Sequence, residues 1–231
     1  MKNQYFGDIN DYRKYGLLRA LRDASGLRLG VWWMLTPDDG REDGKFVAYL
    51  TQPRRWRPFD PPLFDLIAAA LPTRRQVAVI SDSDLLGDAL FVDTVVPDGR
   101  AARAAAFDLV QEKLGPADLV FVDPDNGLEI ASCPPGRRDS SKYVFRDELA
   151  TLFARGQSLL VYQHFRREER GAFISHVAAS LRATIGASEV SCFRTAHVAF
   201  FLAVQPTHAA RLRSATRSVP ERWGDQLLVY P

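Results

Sequence analysis

The stretch that most constrains the fold is the apolar run at residues 119–122, which leads directly into Asp123 and Pro124. A continuous apolar run of this length predicts a strand that is covered on both faces, as in the interior of a parallel sheet. Pro124 has no N–H to give to a neighbouring strand, so the chain must turn there. Residues 125–127 supply turn chemistry. We therefore expect residues 123–126 to form the floor of a site at the carboxyl end of a buried strand.

Helical and apolar strand-like segments alternate along the rest of the chain. Helices are predicted at residues 10–24, 46–51, 61–71, 101–114, 146–154, 168–185 and 207–217. Strands are predicted at residues 27–35, 77–80, 90–96, 119–122, 158–162, 190–194, 198–204 and 226–230. This order predicts an α/β fold of the doubly wound, Rossmann-like kind, with a mostly parallel sheet and a C-terminal antiparallel hairpin. We expect one domain over residues 1–231, with residues 1–26 as a helical segment near the cleft.

Composition excludes several classes of protein. The 231 residues are 46% hydrophobic and 25% charged with a net charge of +2, which is ordinary for a soluble enzyme and permits a nucleic acid partner without requiring one. The two cysteines match no metal or redox spacing, and no apolar run is long enough to span a bilayer. With no leader-like start, we expect a cytoplasmic protein without membrane contact. The oligomeric state stays open.

Two acidic segments are candidates for binding a cofactor. One follows the predicted strand 27–35 and includes Thr36, Asp38, Asp39 and Gly40 within residues 36–44. Carboxylates there suit ribose hydroxyls or an ammonium group and would repel a pyrophosphate, which disfavours NAD and ATP. The second is Asp82, after the predicted strand 77–80, where an acid suits a ribose. The alternatives are a solvated loop and a helix cap.

His164 and several arginines are further candidates. His164 follows the predicted strand 158–162 and should share an edge with Asp123, where it could act as a general base or order a phosphate. Arginines at residues 54–57, 137–138 and 166–170 could form a basic rim, and Trp56 could stack on a base. Edge packing of His164 and solvated arginines on helix faces are the alternatives.

The strand ending in Asp123-Pro124-Asp125-Asn126 resembles that of the S-adenosylmethionine-dependent methyltransferases that act on adenine N6, whose strand ends Asp-Pro-Pro-Tyr. The resemblance implies S-adenosylmethionine as cofactor and a catalytic role for Asp123, Pro124 and Asn126, and His164 joins them as a catalytic candidate through its position at the same predicted edge. In that family the Asp and a following backbone carbonyl accept hydrogen bonds from the target amine, and the final aromatic stacks on the base. Asn126 stands where that aromatic would be.

Residues 5–15 resemble the N-terminal segment of ribosomal-RNA adenine-N6 methyltransferases, which folds over the cleft. Tyr12 and Lys14 of this segment are candidates for substrate contact, together with Asp125 of the floor and Arg166 of the basic rim. The opening, the Trp-rich first strand and the Asp-Pro-Asp-Asn-Gly motif are also similar to a family of uncharacterised bacterial and phage proteins, which implies no particular activity. A methyl acceptor on a nucleic acid is one consequence of the first resemblance.

Two other functions fit the same residues. Asp123, Asp125 and Glu129 could hold Mg²⁺ in a nuclease or phosphohydrolase, with His164 assisting. A non-catalytic Rossmann-like binding module is the third interpretation.

Overall fold

A computed structural model describes residues 1–40 and 46–230, so residues 41–44 of the acidic loop lie outside the described part. The strands are β1 (Leu29–Trp32), β2 (Leu90–Val92), β3 (Leu119–Val122), β4 (Gly127–Leu128), β5 (Tyr143–Val144), β6 (Ser158–His164), β7 (Glu189–Arg194), β8 (Val198–Val204) and β9 (Leu228–Tyr230). Seven of them form one sheet in the order β2-β1-β3-β6-β8-β7-β9, and β4 pairs with β5 beside it.

The helices cover both faces of this sheet. They are α1 (Ile9–Ser25), α2 (Pro53–Trp56), α3 (Pro61–Ala70), α4 (Ala78–Ser81), α5 (Arg100–Lys113), α6 (Arg146–Ala154), α7 (Arg170–Ile185) and α8 (Ala209–Trp223). Short 3-10 turns lie at Asn3–Tyr5, Ala48–Thr51, Arg57–Phe59, Asp84–Leu86, Ser140–Lys142, Pro206–His208 and Gly224–Gln226. No helix within the described ranges has both the length and the apolar character needed to cross a bilayer.

The sheet is mostly parallel, as the sequence predicts. Strands β2, β1, β3 and β6 pair in parallel. Strand β8 runs antiparallel to both β6 and β7, and β9 runs antiparallel to β7. The α/β class and the C-terminal antiparallel hairpin are therefore confirmed, in an arrangement consistent with a Rossmann-like fold. The chain goes outward from β1 to β2 and returns on the other side as β3, which makes the β1–β3 crevice the place where ligands bind in such sheets.

Alternating side chains of the central strands enter two separate cores. Leu119 and Phe121 of β3 pack on the side of α1, α3 and α8, whereas Val120 and Val122 pack on the side of α5, α6 and α7. This two-sided cover explains the continuous apolar runs, because a strand buried on both faces has no polar face.

Helix α1 is held close to α8 by a glycine. Gly16 lies against the indole of Trp223, and a Cβ at this position would stand 1.8 Å from Trp223 Cζ2. Asp8 caps the helix by accepting a hydrogen bond from the Asn10 N–H at 2.8 Å, so the helix starts one residue before the predicted residue 10. Gly26 ends it in the left-handed conformation. The fixed helix directs one of its faces at the ends of β3 and β6.

Several predicted boundaries are wrong. Residues 77–80 form the start of helix α4 instead of a strand, because a four-residue apolar run reads the same in either structure. The predicted strands 27–35 and 90–96 shorten to β1 and β2, with a single bridge from Leu35 to Val95 beyond them. The predicted helix 207–217 begins at residue 209 and continues to Trp223. It includes Pro220, which is exposed to solvent.

Candidate functional site

A cavity of about 740 Å³ opens at the carboxyl ends of β3 and β6, beside α1. Its floor is residues 123–126, and its walls carry both acidic and aromatic side chains. The acidic and basic members from α1 and its flank are Asp8, Asp11, Arg13 and Lys14; the aromatic ones are Tyr5, Phe46, Trp56 and Tyr162; His164 and His197 stand on the remaining side. Asp123, Pro124, Asn126 and His164 thus come together at one cavity, along with Lys14 and Asp125.

Lys14 lies between two buried carboxylates at the base of the cavity. Its ammonium donates to Asp123 Oδ2 at 2.8 Å and forms an ion pair with Asp11 Oδ1 at 2.7 Å. Asp123 and Lys14 are each 2% exposed and Asp11 is 5% exposed. Asp11 and Lys14 are three residues apart on one helix, so both side chains point to the same place. The cluster carries two negative charges and one positive charge out of contact with solvent.

Burial controls protonation in this cluster. Loss of solvent raises the pKa of Asp11 to about 6, although the Lys14 ammonium opposes the rise. Burial alone would lower the pKa of Lys14, but Asp11 and Asp123 outweigh it and the pKa is raised, so Lys14 is a cation at neutral pH. Burial, followed by the charges of Asp123 and Asp11, holds the pKa of Tyr162 well above its ordinary value. Tyr162 is therefore a neutral donor.

The raised pKa of Asp11 predicts a pH-dependent stability. The folded protein binds a proton at Asp11 more tightly than the unfolded chain, so the contribution of this group to stability falls as pH rises through about 4 to 6. Relative to Asp11→Asn, the wild type should lose about 2 kcal/mol of unfolding free energy between roughly pH 4.5 and pH 7. Urea unfolding of both proteins at the two pH values measures this difference. Parallel pH profiles would contradict it.

Asp125 holds a second set of partners. Its Oδ1 lies 3.0 Å from the amino group of Met1, and its Oδ2 accepts from the Thr36 hydroxyl at 2.8 Å and lies 3.7 Å from Lys2 Nζ. Burial would raise the pKa of Asp125, but the Met1 ammonium, the Thr36 hydroxyl and Lys2 outweigh it and the pKa is lowered. The Met1 amino group also donates to the backbone oxygen of Asp123 at 3.2 Å. Both carboxylates of the floor therefore hold amino groups of the chain.

The predicted cofactor residues after β1 contact the start of the chain and do not line the cavity. Asp38 accepts from the backbone N–H of Gln4 at 3.2 Å, and Asp39 forms an ion pair with Lys2 at 2.6 Å. Thr36 is buried with Asp125, and Gly40 has a positive φ with open space around its Cα. In this arrangement the loop supports residues 1–4 instead of offering free groups to a ligand.

His164 stands at the rim of the cavity. Its Nε2 lies 3.1 Å from the hydroxyl of Tyr162. Loss of solvent around the ring lowers the pKa of His164, against the opposing effect of Asp125 and Asp123. The imidazole is therefore neutral at pH 7 and can accept a proton. His164 and Asp123 line the same cavity at the carboxyl edge of the sheet, where the sequence predicts them.

Three predicted site residues lie away from the cavity. Tyr12 is in the core, where its hydroxyl donates to the Trp56 backbone oxygen at 2.9 Å and accepts from the Asp60 N–H at 3.1 Å. Asp82 is on the surface and pairs with Arg74 at 2.8 Å, because the segment before it is helical and does not end at the carboxyl edge. Arg166 borders a neighbouring depression.

The residues of the magnesium alternative are not brought together. Glu129 pairs with Arg146 at 2.7 Å and borders a different, smaller cavity. Asp123 and Asp125 are already neutralised by amino groups. Across residues 1–40 and 46–230, no group of three His, Cys, Asp or Glu side chains is placed to hold a metal ion. The donor arrangement favours amine binding over metal binding.

Sequence reasoning missed Asp8, Asp11, Phe46 and His197 as cavity residues. Asp11 had a detectable signal, because it precedes Lys14 by three positions in a predicted helix and so shares its face. Phe46 had none, since it is held at the cavity by contacts across the chain: its N–H donates to the Asp8 carboxylate at 3.0 Å, and its backbone oxygen accepts from the Ile9 N–H at 3.1 Å. Its ring borders the cavity, and Phe46 is 71% exposed.

A scan against protein-family models and a search of curated proteins gave no match to this chain.

Proposed function

We propose that this protein is an S-adenosylmethionine-dependent, methyltransferase-like enzyme in which Asp123 binds a substrate amine. One observation carries the proposal: Asp123 accepts hydrogen bonds from two amino groups, Lys14 at its carboxylate (2.8 Å) and Met1 at its backbone oxygen (3.2 Å). The resemblance to amino methyltransferases implies that the Asp side chain and a following backbone oxygen bind one amine; here the Asp123 carboxylate and its own backbone oxygen each bind a separate amino group. A substrate amine would take the place of the Lys14 ammonium.

The surroundings of Asp123 suit this exchange. When a substrate amine displaces Lys14 from Asp123, Asp11 still holds the ammonium at 2.7 Å, so no buried cation loses all its partners. Once bound, the amine donates its hydrogens to the Asp123 acceptors, which turns its lone pair toward the open cavity. His164 at the rim is a neutral imidazole that can take up the proton released after transfer.

The cavity also suits the class of ligand. Its volume of about 740 Å³ lies within the range of small-molecule and cofactor sites, roughly 300–1,000 Å³. Aromatic walls favour a planar ring. In the amino methyltransferases an aromatic side chain at the position of Asn126 stacks on the base. This chain lacks that aromatic, and the exposed ring of Phe46 is available for the same stacking.

The residues fit S-adenosylmethionine in part. Asp125 fits its ammonium group only in exchange for the Met1 amino group, which lies 3.0 Å from this carboxylate. Asp38 and Asp39 do not fit as free cofactor ligands, because residues 2–4 occupy them. S-adenosylmethionine would supply the methyl group when bound; orientation of the amine and acceptance of its proton belong to Asp123 and His164.

A thermal-shift comparison tests the proposed ligand class. The protein is heated alone and with S-adenosylmethionine, S-adenosylhomocysteine, Mg²⁺ or Mn²⁺. We expect stabilisation by the two adenosyl compounds, of about 2.7 kcal/mol at a hundred times the dissociation constant, and none by the metals. Asp125→Asn should reduce the shift, and Asp82→Asn, a surface acid outside the cavity, should not. Stabilisation by Mg²⁺ alone would favour the phosphohydrolase alternative, and no response to any compound would favour a non-catalytic module.

A further inference from the structure

A second depression adjoins the cavity, and three arginines are among the residues that line it. It has a volume of about 530 Å³ and is bordered by Phe165, Arg166, Arg167, Glu168, Arg170 and His197. His197 also lines the main cavity, and Phe165 directly follows His164 of its rim. The two spaces therefore lie next to each other and share His197.

The guanidinium groups of this depression are free to bind an anion. Arg166 and Arg167 are exposed and form no ion pair with any carboxylate in the described parts of the chain. Arg170 stacks over the ring of Phe165, 5.0 Å from its centroid, which fixes its position without neutralising it. Glu169 is engaged in capping α7 through the N–H groups of Gly171 and Ala172. Glu168 is the one carboxylate among the residues that border the depression.

We infer that this depression binds a phosphate group of the same ligand whose amine is bound at Asp123. Three arginines that border one space and form no ion pair with a carboxylate in the described residues suit the oxygens of a phosphate, which guanidinium groups bind through paired N–H donors. The charges of the two spaces are opposite: acidic at the floor of the cavity, basic in the depression. The substrate class is accordingly an amine-bearing phosphate ester. This inference rests on the proposed function for the position of the amine, but the phosphate subsite itself stands on the arginines.

Calorimetric titration tests the subsite with adenosine, adenosine 5′-monophosphate and inorganic phosphate as probes. The wild type should bind the monophosphate about tenfold more tightly than adenosine. Arg166→Gln/Arg167→Gln should bring the two affinities together and abolish binding of inorganic phosphate. The matched control is Arg137→Gln/Arg138→Gln, an exposed adjacent pair outside both spaces with the same change in charge, and it should preserve the difference.

If Arg166→Gln/Arg167→Gln and Arg137→Gln/Arg138→Gln lose the same amount of affinity for the phosphate compounds, the subsite is overturned, because the loss then reflects net charge alone. Equal affinity of the wild type for adenosine and its monophosphate, or no binding of any phosphate compound, would overturn it as well. Asp123→Asn separates the two proposals: it should weaken both nucleoside probes by the same factor and leave inorganic phosphate unaffected. If Asp123→Asn has no effect while the arginine effect persists, the amine-binding role fails and the phosphate subsite stands.

A short single-stranded oligonucleotide added to the titrations identifies the source of the phosphate ester. Tighter binding of the oligonucleotide than of the monophosphate, with the same dependence on Arg166 and Arg167, would assign the subsite to a nucleic acid strand. Tighter binding of the monophosphate would assign it to a free phosphorylated small molecule. Salt should weaken the strand more steeply, since several phosphates release counterions.

Discussion

Lys14→Met should lower the free energy of unfolding by about 3–5 kcal/mol, a large part of the 5–15 kcal/mol typical of a domain. Methionine keeps most of the volume of the lysine stem, so little packing is lost. What is lost is the cation that lies 2.7 Å from Asp11 and 2.8 Å from Asp123. Two buried carboxylates are then left without an opposite charge. Urea unfolding at neutral pH measures the change.

Two further variants separate the charge effect from packing. Lys113→Met alters an exposed lysine in the last turn of α5 and should change stability by less than about 0.5 kcal/mol. Adding Asp123→Asn to Lys14→Met removes one of the stranded charges and should restore part of the lost stability. If Lys14→Met unfolds at the same urea concentration as the wild type, the buried cluster does not exist as described.

Much of the fold follows from local sequence signals. Residues 119–122, 159–161 and 198–204 are continuous apolar runs, and each lies in the interior of the sheet, where the strand needs cover on both faces. Gly26 and Gly186 end their helices in the left-handed conformation that other residues avoid. These features depend on near neighbours in sequence, so they can be read without knowing the tertiary structure.

The errors arise where tertiary contacts decide. Residues 77–80 are apolar and three of them are β-branched, yet residues 78–80 lie in helix α4, and the backbone N–H of Val77 before it donates to the Asn3 side chain. Pro220 suggests an end to α8, but the helix continues because Trp223 packs on Gly16. Neither contact has a signal within its own segment.

The sequence predicts the residues at the floor of the cavity, but it does not predict most of the residues that form its walls. Asp123 and Pro124 are identified by their position after a buried strand, and His164 by the same reasoning on the next strand. Residues 36–39 also follow a strand, but they bind residues 1–4, a pairing that sequence spacing cannot indicate. The approach of Phe46 and His197 likewise depends on how distant segments meet.

The central claim is that the Asp123 carboxylate orients a substrate amine for methylation. The most direct measurement is transfer of radiolabelled methyl groups from S-adenosylmethionine to a mixed pool of RNA, DNA and small amines, by wild type, Asp123→Asn and Asp82→Asn. Asp123→Asn keeps the Lys14–Asp11 pair, so it should fold, and retained binding of S-adenosylhomocysteine verifies this. Asp82→Asn alters a surface acid that pairs with Arg74.

We expect transfer by the wild type and by Asp82→Asn, and a loss of about a hundredfold or more in Asp123→Asn, since positioning of the acceptor supplies much of the rate. The affinity of Asp123→Asn for S-adenosylhomocysteine should change little, because Asp125 and the remaining cavity residues are intact. Transfer by Asp123→Asn at the wild-type rate would contradict the role assigned to Asp123.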